Sequence, residues 1–195
     1  MGLDPAQLKL NPQLLVFYRS GLRYLYQPHG SPAQTRQERK KSASCSRDAW
    51  LQWLQSLNPP YKAVLTYYQL CLDRGPDSGE ESRKRRELFA NMLSGLAWPE
   101  TVHAFWPHSL CQDEDIVAHS GLFWQGIQVL KPEYVLVFGE RAADTLFPDR
   151  EAGTEELNLE GIRYLILPDP DEMLPDNRRM KNLVWQKLKA LPLIT

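Results

Sequence analysis

Apolar and polar positions follow two rhythms along this chain, and the sharpest change of rhythm falls between Leu130 and Phe147. Tyr134-Val135-Leu136-Val137-Phe138 is an unbroken apolar run rich in β-formers, the pattern of a strand covered on both faces. Pro132 closes whatever precedes it. Gly139 permits a tight turn. Arg141 to Phe147 then places Ala142, Ala143, Leu146 and Phe147 at helical spacing, and Pro148 stops the helix. Strand, turn and helix in that order make the unit of a parallel α/β domain.

The same reading extends in both directions. Asn11-Pro12 predicts a helix start. Leu14, Leu15, Phe17, Tyr18, Leu22, Leu25 and Tyr26 then give a helical stripe, interrupted by Gly21. The stripe either packs on the domain or docks a partner protein, with Leu14, Leu15, Phe17, Tyr18 and Leu22 as the docking candidates. Residues 28–47 are rich in Pro, Ser, Gln and charge and read as a linker. The chain therefore divides into an N-terminal helix with a basic linker, 1–47, and an α/β domain, 48–195.

Within that domain Asp48 is expected to cap a short helix, with Trp50, Leu51, Trp53, Leu54 and Leu57 inward and Asn58-Pro59-Pro60 as its stop. Ala63 to Leu72 reads as strand or as helix, because periodicity does not separate the two in so short a run. Arg83-Lys84-Arg85-Arg86 opens a helix carrying Leu88, Phe89, Met92, Leu93 and Leu96. A second strand is expected over Thr101–Trp106, with Pro107 to Leu110 and an acidic loop, Gln112 to Asp115, after it. Ser120–Leu130 predicts an amphipathic helix and Gly161–Leu167 the last strand. Asn177 opens the final helix, with Met180, Leu183, Val184, Leu188 and Leu191 inward.

Charge changes this picture little overall but much locally. The net charge of 195 residues is -1, so the chain as a whole carries no nucleic-acid signature. Residues 1–60 hold 8 basic and 3 acidic side chains, whereas 61–195 hold 15 and 21. Arg36, Arg39, Lys40 and Lys41 in the linker, and the run Arg83, Lys84, Arg85 and Arg86, are the candidates for phosphate contact. The plainer alternatives are a solvated loop and a solvated helix face, the second favoured by Glu80, Glu81 and Glu87 beside the run. Three scattered cysteines with no CxxC argue against a structural zinc or iron–sulfur site, and no metal or cofactor is implied. The odd cysteine count, with no signal peptide and no apolar run of membrane-spanning length, reads as a reduced, cytoplasmic protein.

Three stretches then carry a family resemblance. RELFANMLSGLAWPETVHAFWP, FWQGIQVLKPEYVLVFGERAADTLF and LILPDPDEMLPDNRRMKNLVWQKLKAL resemble, in order, segments of the uracil-DNA glycosylase superfamily. The resemblance covers roughly Ala63 to Leu191. It implies a three-layer α/β/α sandwich around a short, mostly parallel sheet, here with an N-terminal helical extension.

The chemistry that the resemblance implies fails at each of its positions. The family's first catalytic loop is glycine-rich and carries a carboxylate or asparagine that handles water. The matching stretch, Tyr67 to Asp73, has no glycine, and Asp73 is its only carboxylate. Bulky side chains there are expected to fill the base pocket. No asparagine follows the second strand, where His108 is the nearest polar candidate and is expected to be structural. The family's His-Pro-Ser, whose histidine steadies the departing base, reads Asp169-Pro170-Asp171. An ionised Asp only accepts hydrogen bonds and opposes a developing anion.

The expected function is therefore a non-catalytic glycosylase-like domain that binds a protein. A precedent in the same fold is the family of psi subunits of bacterial DNA polymerase III, whose partners are clamp-loader proteins. Two alternatives stand beside it. One is an active nucleic-acid enzyme with a rearranged site drawn from Asp73, His103, His108, Asp169 and Asp171, with a divalent metal between converged carboxylates. The other is a nucleic-acid binder without chemistry, using the two basic stretches and aromatic stacking.

Overall fold

A computed structural model of the chain describes residues 46–74, 79–112 and 115–193. The docking candidates Leu14, Leu15, Phe17, Tyr18 and Leu22, and the basic linker residues Arg36, Arg39, Lys40 and Lys41, lie outside the described residues.

The described elements, in chain order, are α1 (Arg47–Ser56), β1 (Ala63–Tyr67), a short turn of helix α2 (Leu70–Asp73), α3 (Glu80–Gly95), β2 (His103–Phe105), β3 (Ser109–Gln112), β4 (Asp115–Ala118), α4 (Ser120–Leu130), β5 (Tyr134–Phe138), α5 (Glu140–Leu146), β6 (Glu156–Leu159), β7 (Ile162–Leu167) and α6 (Arg178–Lys189), with a 3₁₀ turn at Pro170–Met173. The protein is an α/β fold on a five-stranded sheet of order β2-β1-β5-β7-β6. The first four strands of that order are parallel, and β6 runs antiparallel to β7. All five residues of β5 are buried, as their unbroken apolar run predicts for a central strand.

Register sets the working edge. Tyr67 lies beside Phe138, which lies beside Leu167. The three central strands thus end level, and the residues that follow them emerge at one edge of the sheet. Side chains alternate across each strand. The Phe89 ring of α3 meets Tyr67 and Phe138 at 4.9 and 5.0 Å, on one face. Tyr164 pairs with Val135, three positions before Phe138, so it points to the other face, where Trp124 of α4 and Phe147 reach it at 6.1 and 5.1 Å. Helices therefore cover both faces, and a Cβ at Gly95 would touch the Trp185 ring of α6, which sets α6 beside α3.

Several boundaries differ from the sequence reading. The ambiguous Ala63–Leu72 stretch is both things: a strand to Tyr67, then a helical turn from Leu70. Ser46, not Asp48, caps α1, its hydroxyl accepting from the Ala49 N–H at 3.2 Å. The helix expected at the basic run starts earlier, at Glu80, so the run lies inside it. The second strand is shorter than Thr101–Trp106. Gln112 and Asp115, expected in an acidic loop, pair with each other in the antiparallel hairpin β3–β4. Strand β6 has four residues, too few to show a period in the sequence. Glu160 and Gly161, both at positive φ, form its two-residue turn into β7. Leu183, placed inward by helical spacing, is 39% exposed, whereas Val184 and Leu188 are buried. Among the described residues no helix is long and apolar enough to cross a membrane.

Candidate functional site

The level edge where β1, β5 and β7 end is the place where parallel α/β folds gather ligand-binding groups. What the chain puts there follows from three short connections. After β1, the turn α2 brings Asp73 back under the sheet edge. After β5, Gly139 turns at φ +94. After β7, Asp169 caps the 3₁₀ turn by accepting from the Asp171 N–H at 2.9 Å.

Arg85 organises this edge. It sits one helical turn before Phe89 on the buried stripe of α3 and is 5% exposed. Its Nε and Nη2 donate to the two oxygens of Asp73, each at 2.8 Å, in a bidentate pair. Its Nη1 donates to Asp171 at 3.0 Å, and Nη2 reaches the Ser82 hydroxyl at 3.3 Å. The Tyr67 hydroxyl donates to the same Asp73 at 2.8 Å. Burial alone would lower the Arg85 pKa. The hydrogen bonds and charge of Asp73, then those of Asp171, outweigh burial and hold the guanidinium above its ordinary value. Burial first, and then the neighbouring Asp73, push the Tyr67 phenol well up.

This arrangement decides what Asp73 can do. Both its oxygens are taken by three donors, and the side chain is 2% exposed. Its carboxylate is held in place by a cation and a phenol. Asp169 is half-buried, and burial raises its pKa, with Asp171 and Glu172 adding to the rise. Its Oδ2 lies 2.5 Å from where a Cβ on residue 139 would stand, so Gly139 is required for space as well as for its φ.

Of the sequence candidates, Asp73 and Asp171 do converge, and Asp169 lies beside them. The convergence is on a guanidinium, not on a metal. The rearranged-site alternative places a metal ion between carboxylates, and here the cation that Asp73 and Asp171 share is the Arg85 side chain. Among the described residues no group of three His, Cys, Asp or Glu is placed to hold a metal ion. His108 is elsewhere. Its Nδ1 shares a 2.8 Å hydrogen bond with the Thr66 hydroxyl, and Thr66 points to the face opposite Tyr67. His108 is fully buried, its Nε2 finds no partner among the described residues, and burial lowers its pKa to about 4. His103 pairs with Ala63 at the far end of the sheet and hydrogen-bonds the Pro99 carbonyl.

The four basic residues of the run do not share one environment. Arg85 is buried, which removes it from the nucleic-acid candidates. Lys84 pairs with Glu80 and Glu81 at 3.2 and 3.0 Å, and Arg83 with Glu87 at 3.8 Å. Arg86 donates to the Asp73 carbonyl at 2.7 Å. Arg85 was legible in principle: counting back four from Phe89 on the apolar stripe lands on it, and a charge on that stripe has to find a buried partner.

Bulky groups stand at the strand ends but do not fill the space expected to be filled: Tyr67, Leu70 and Asp73 of that stretch line a cavity. Tyr68 holds the hairpin through a 2.6 Å bond to the Ile116 carbonyl and lies under Arg141, whose Cζ is 3.5 Å from the ring centre. Gln69 donates to Asp171 at 3.2 Å. Beside the Arg85 cluster is a cavity of about 390 Å³ with an aromatic wall that includes Trp50, Trp53, Phe89 and Phe105. No family model and no curated protein matches this chain.

Proposed function

We propose that this chain is a non-catalytic, uracil-DNA glycosylase-like domain that acts as a protein-interaction module in DNA replication or repair, in the manner of the psi subunits of bacterial DNA polymerase III. The observation that carries the loss of catalysis is the Arg85 bridge. Where the resemblance puts a water-handling group, Asp73 is locked between Arg85 and Tyr67. Where it puts a base-steadying histidine, Asp169 holds a turn instead. The element order from β1 to α6 supports the glycosylase-like frame, as do helices on both faces of the sheet in the manner of a three-layer sandwich. The hairpin β3–β4 and strand β6 lie outside the element order that the resemblance implies.

What supports a protein-binding role is the locked Asp73, together with the apolar stripe that the sequence gives at Leu14, Leu15, Phe17, Tyr18 and Leu22. The test has two arms. The first is uracil release from single- and double-stranded DNA at high protein concentration, followed by alkaline strand cleavage. No cleavage is expected, and cleavage above a no-protein control that Asp169→Asn alters overturns the reading. The second is sedimentation of the full chain with purified clamp-loader proteins. A complex that Leu15→Asp with Phe17→Asp abolishes is expected, and no complex refutes the assigned partner class.

A further inference from the structure

Cys71 and Cys111 are 40 residues apart in sequence, yet their Sγ atoms lie 3.1 Å apart. Cys71 belongs to the turn α2 and is fully buried, whereas Cys111 belongs to β3 and is half-buried. Their approach is held from both sides. The Ser109 hydroxyl, two residues before Cys111, donates to the Tyr68 carbonyl at 2.7 Å. The Tyr68 hydroxyl donates to the carbonyl of Ile116, the residue paired with Cys111 across the hairpin. Two tethers therefore fix the hairpin against the segment that carries Cys71. Closing to a disulfide bond of about 2.05 Å asks the sulfurs to move together by about 1 Å.

We propose that Cys71 and Cys111 form an oxidation site, a dithiol that peroxide converts to an intramolecular disulfide. The more accessible Cys111 thiolate attacks a peroxide oxygen, breaking the O–O bond and releasing water to leave a sulfenic acid. The Cys71 sulfur, with loss of its proton, then attacks the sulfenic sulfur and expels a second water. Two thiols and one hydrogen peroxide give one disulfide and two waters, and the two electrons pass to the peroxide. The resulting bond fastens β3 to the turn that bears Asp73, two residues beyond Cys71. One wall of the Arg85 cluster is thereby fixed to the hairpin. The sequence alone predicts three reduced, unrelated cysteines, and only the fold makes two of them a pair.

The test treats the purified full chain with hydrogen peroxide, denatures it, and counts thiols beside a non-reducing peptide map. The thiol count is expected to fall from three to one, with a protein lighter by two hydrogen atoms and a linked peptide joining Cys71 to Cys111. Cys45→Ser is expected to fall from two thiols to none, and Cys111→Ser to keep both of its thiols as monomer. Retention of all three thiols under peroxide that oxidises glutathione overturns the proposal. So does a Cys111 heavier by two oxygen atoms, or a disulfide that includes Cys45.

Discussion

Thr66 and Tyr67 are neighbours at the end of β1, and they open onto two unlike interiors. Tyr67 faces the α3 side, where a buried cation and two carboxylates satisfy one another. Thr66 faces the opposite side, where His108 is buried among the rings of Tyr68 and Phe123 and its ring makes one hydrogen bond among the described residues. On the first face, charge survives burial because every charged atom has a partner. On the second, the group survives burial by giving up its charge. A charged group leaves water only if it is paired or neutralised, and one strand end of this protein uses each solution on one face.

The charged face is the easier to break. Arg85→Met leaves Asp73 buried and facing only the Tyr67 hydroxyl. Loss of one partner of a buried pair costs about 3–5 kcal/mol. Urea unfolding followed by tryptophan fluorescence is expected to show a loss of that size. The double variant Arg85→Met with Asp73→Leu is expected to recover most of it, because no charge remains to be buried. A double variant as unstable as the single one would mean that the cluster's geometry, not its charge balance, supports the sheet edge.

Much of this fold was legible, and the reason is period. Strand β5, helix α4 and the strand-turn-helix at Gly139 are long enough for their rhythm to show. Strands β3, β4 and β6 have four residues each, too few to distinguish a period of two from chance. The site was legible only in its members. The sequence points to Asp73, Asp169 and Asp171, but as acids in search of water, a base or a metal. The partner that Asp73 and Asp171 share is Arg85, which the sequence places in a surface patch because a run of four basic residues looks like one feature. A helix distributes four consecutive residues around its circumference, so two of this run point to solvent and one points into the core. The cysteine pair was invisible for the complementary reason: nothing local links residues 71 and 111.

The neutral face is sharpened by pH. His108 has a pKa near 4 in the folded protein, against about 6.5 when unfolded. Between those values the unfolded chain binds the additional proton, so stability falls as pH drops through that window. Below about pH 4 both states are protonated and the slope disappears. The full difference amounts to about 3 kcal/mol. Urea midpoints measured from pH 7 to pH 4 are expected to trace the loss, and His108→Asn is expected to flatten it relative to the parent chain. An unchanged slope in that variant would assign the acid sensitivity to other groups.

The smallest effects come from removing one hydroxyl on each face, and here the order matters more than the size. Thr66→Val takes away the one side-chain partner that His108 has among the described residues and leaves both nitrogens of a buried imidazole unsatisfied there. Such orphaned groups cost about 1–3 kcal/mol. Tyr67→Phe removes a hydrogen bond to Asp73, but Arg85 still serves both carboxylate oxygens. A cost of about 1 kcal/mol is expected, the net value of an ordinary hydrogen bond. Thermal melts of the two variants compare the faces directly, since each change deletes one oxygen from a buried position and leaves most of the packing in place. Thr66→Val is expected to melt lower than Tyr67→Phe. The reverse order would mean that the phenol is an essential third donor to Asp73, and that the charged face is as sparsely satisfied as the neutral one.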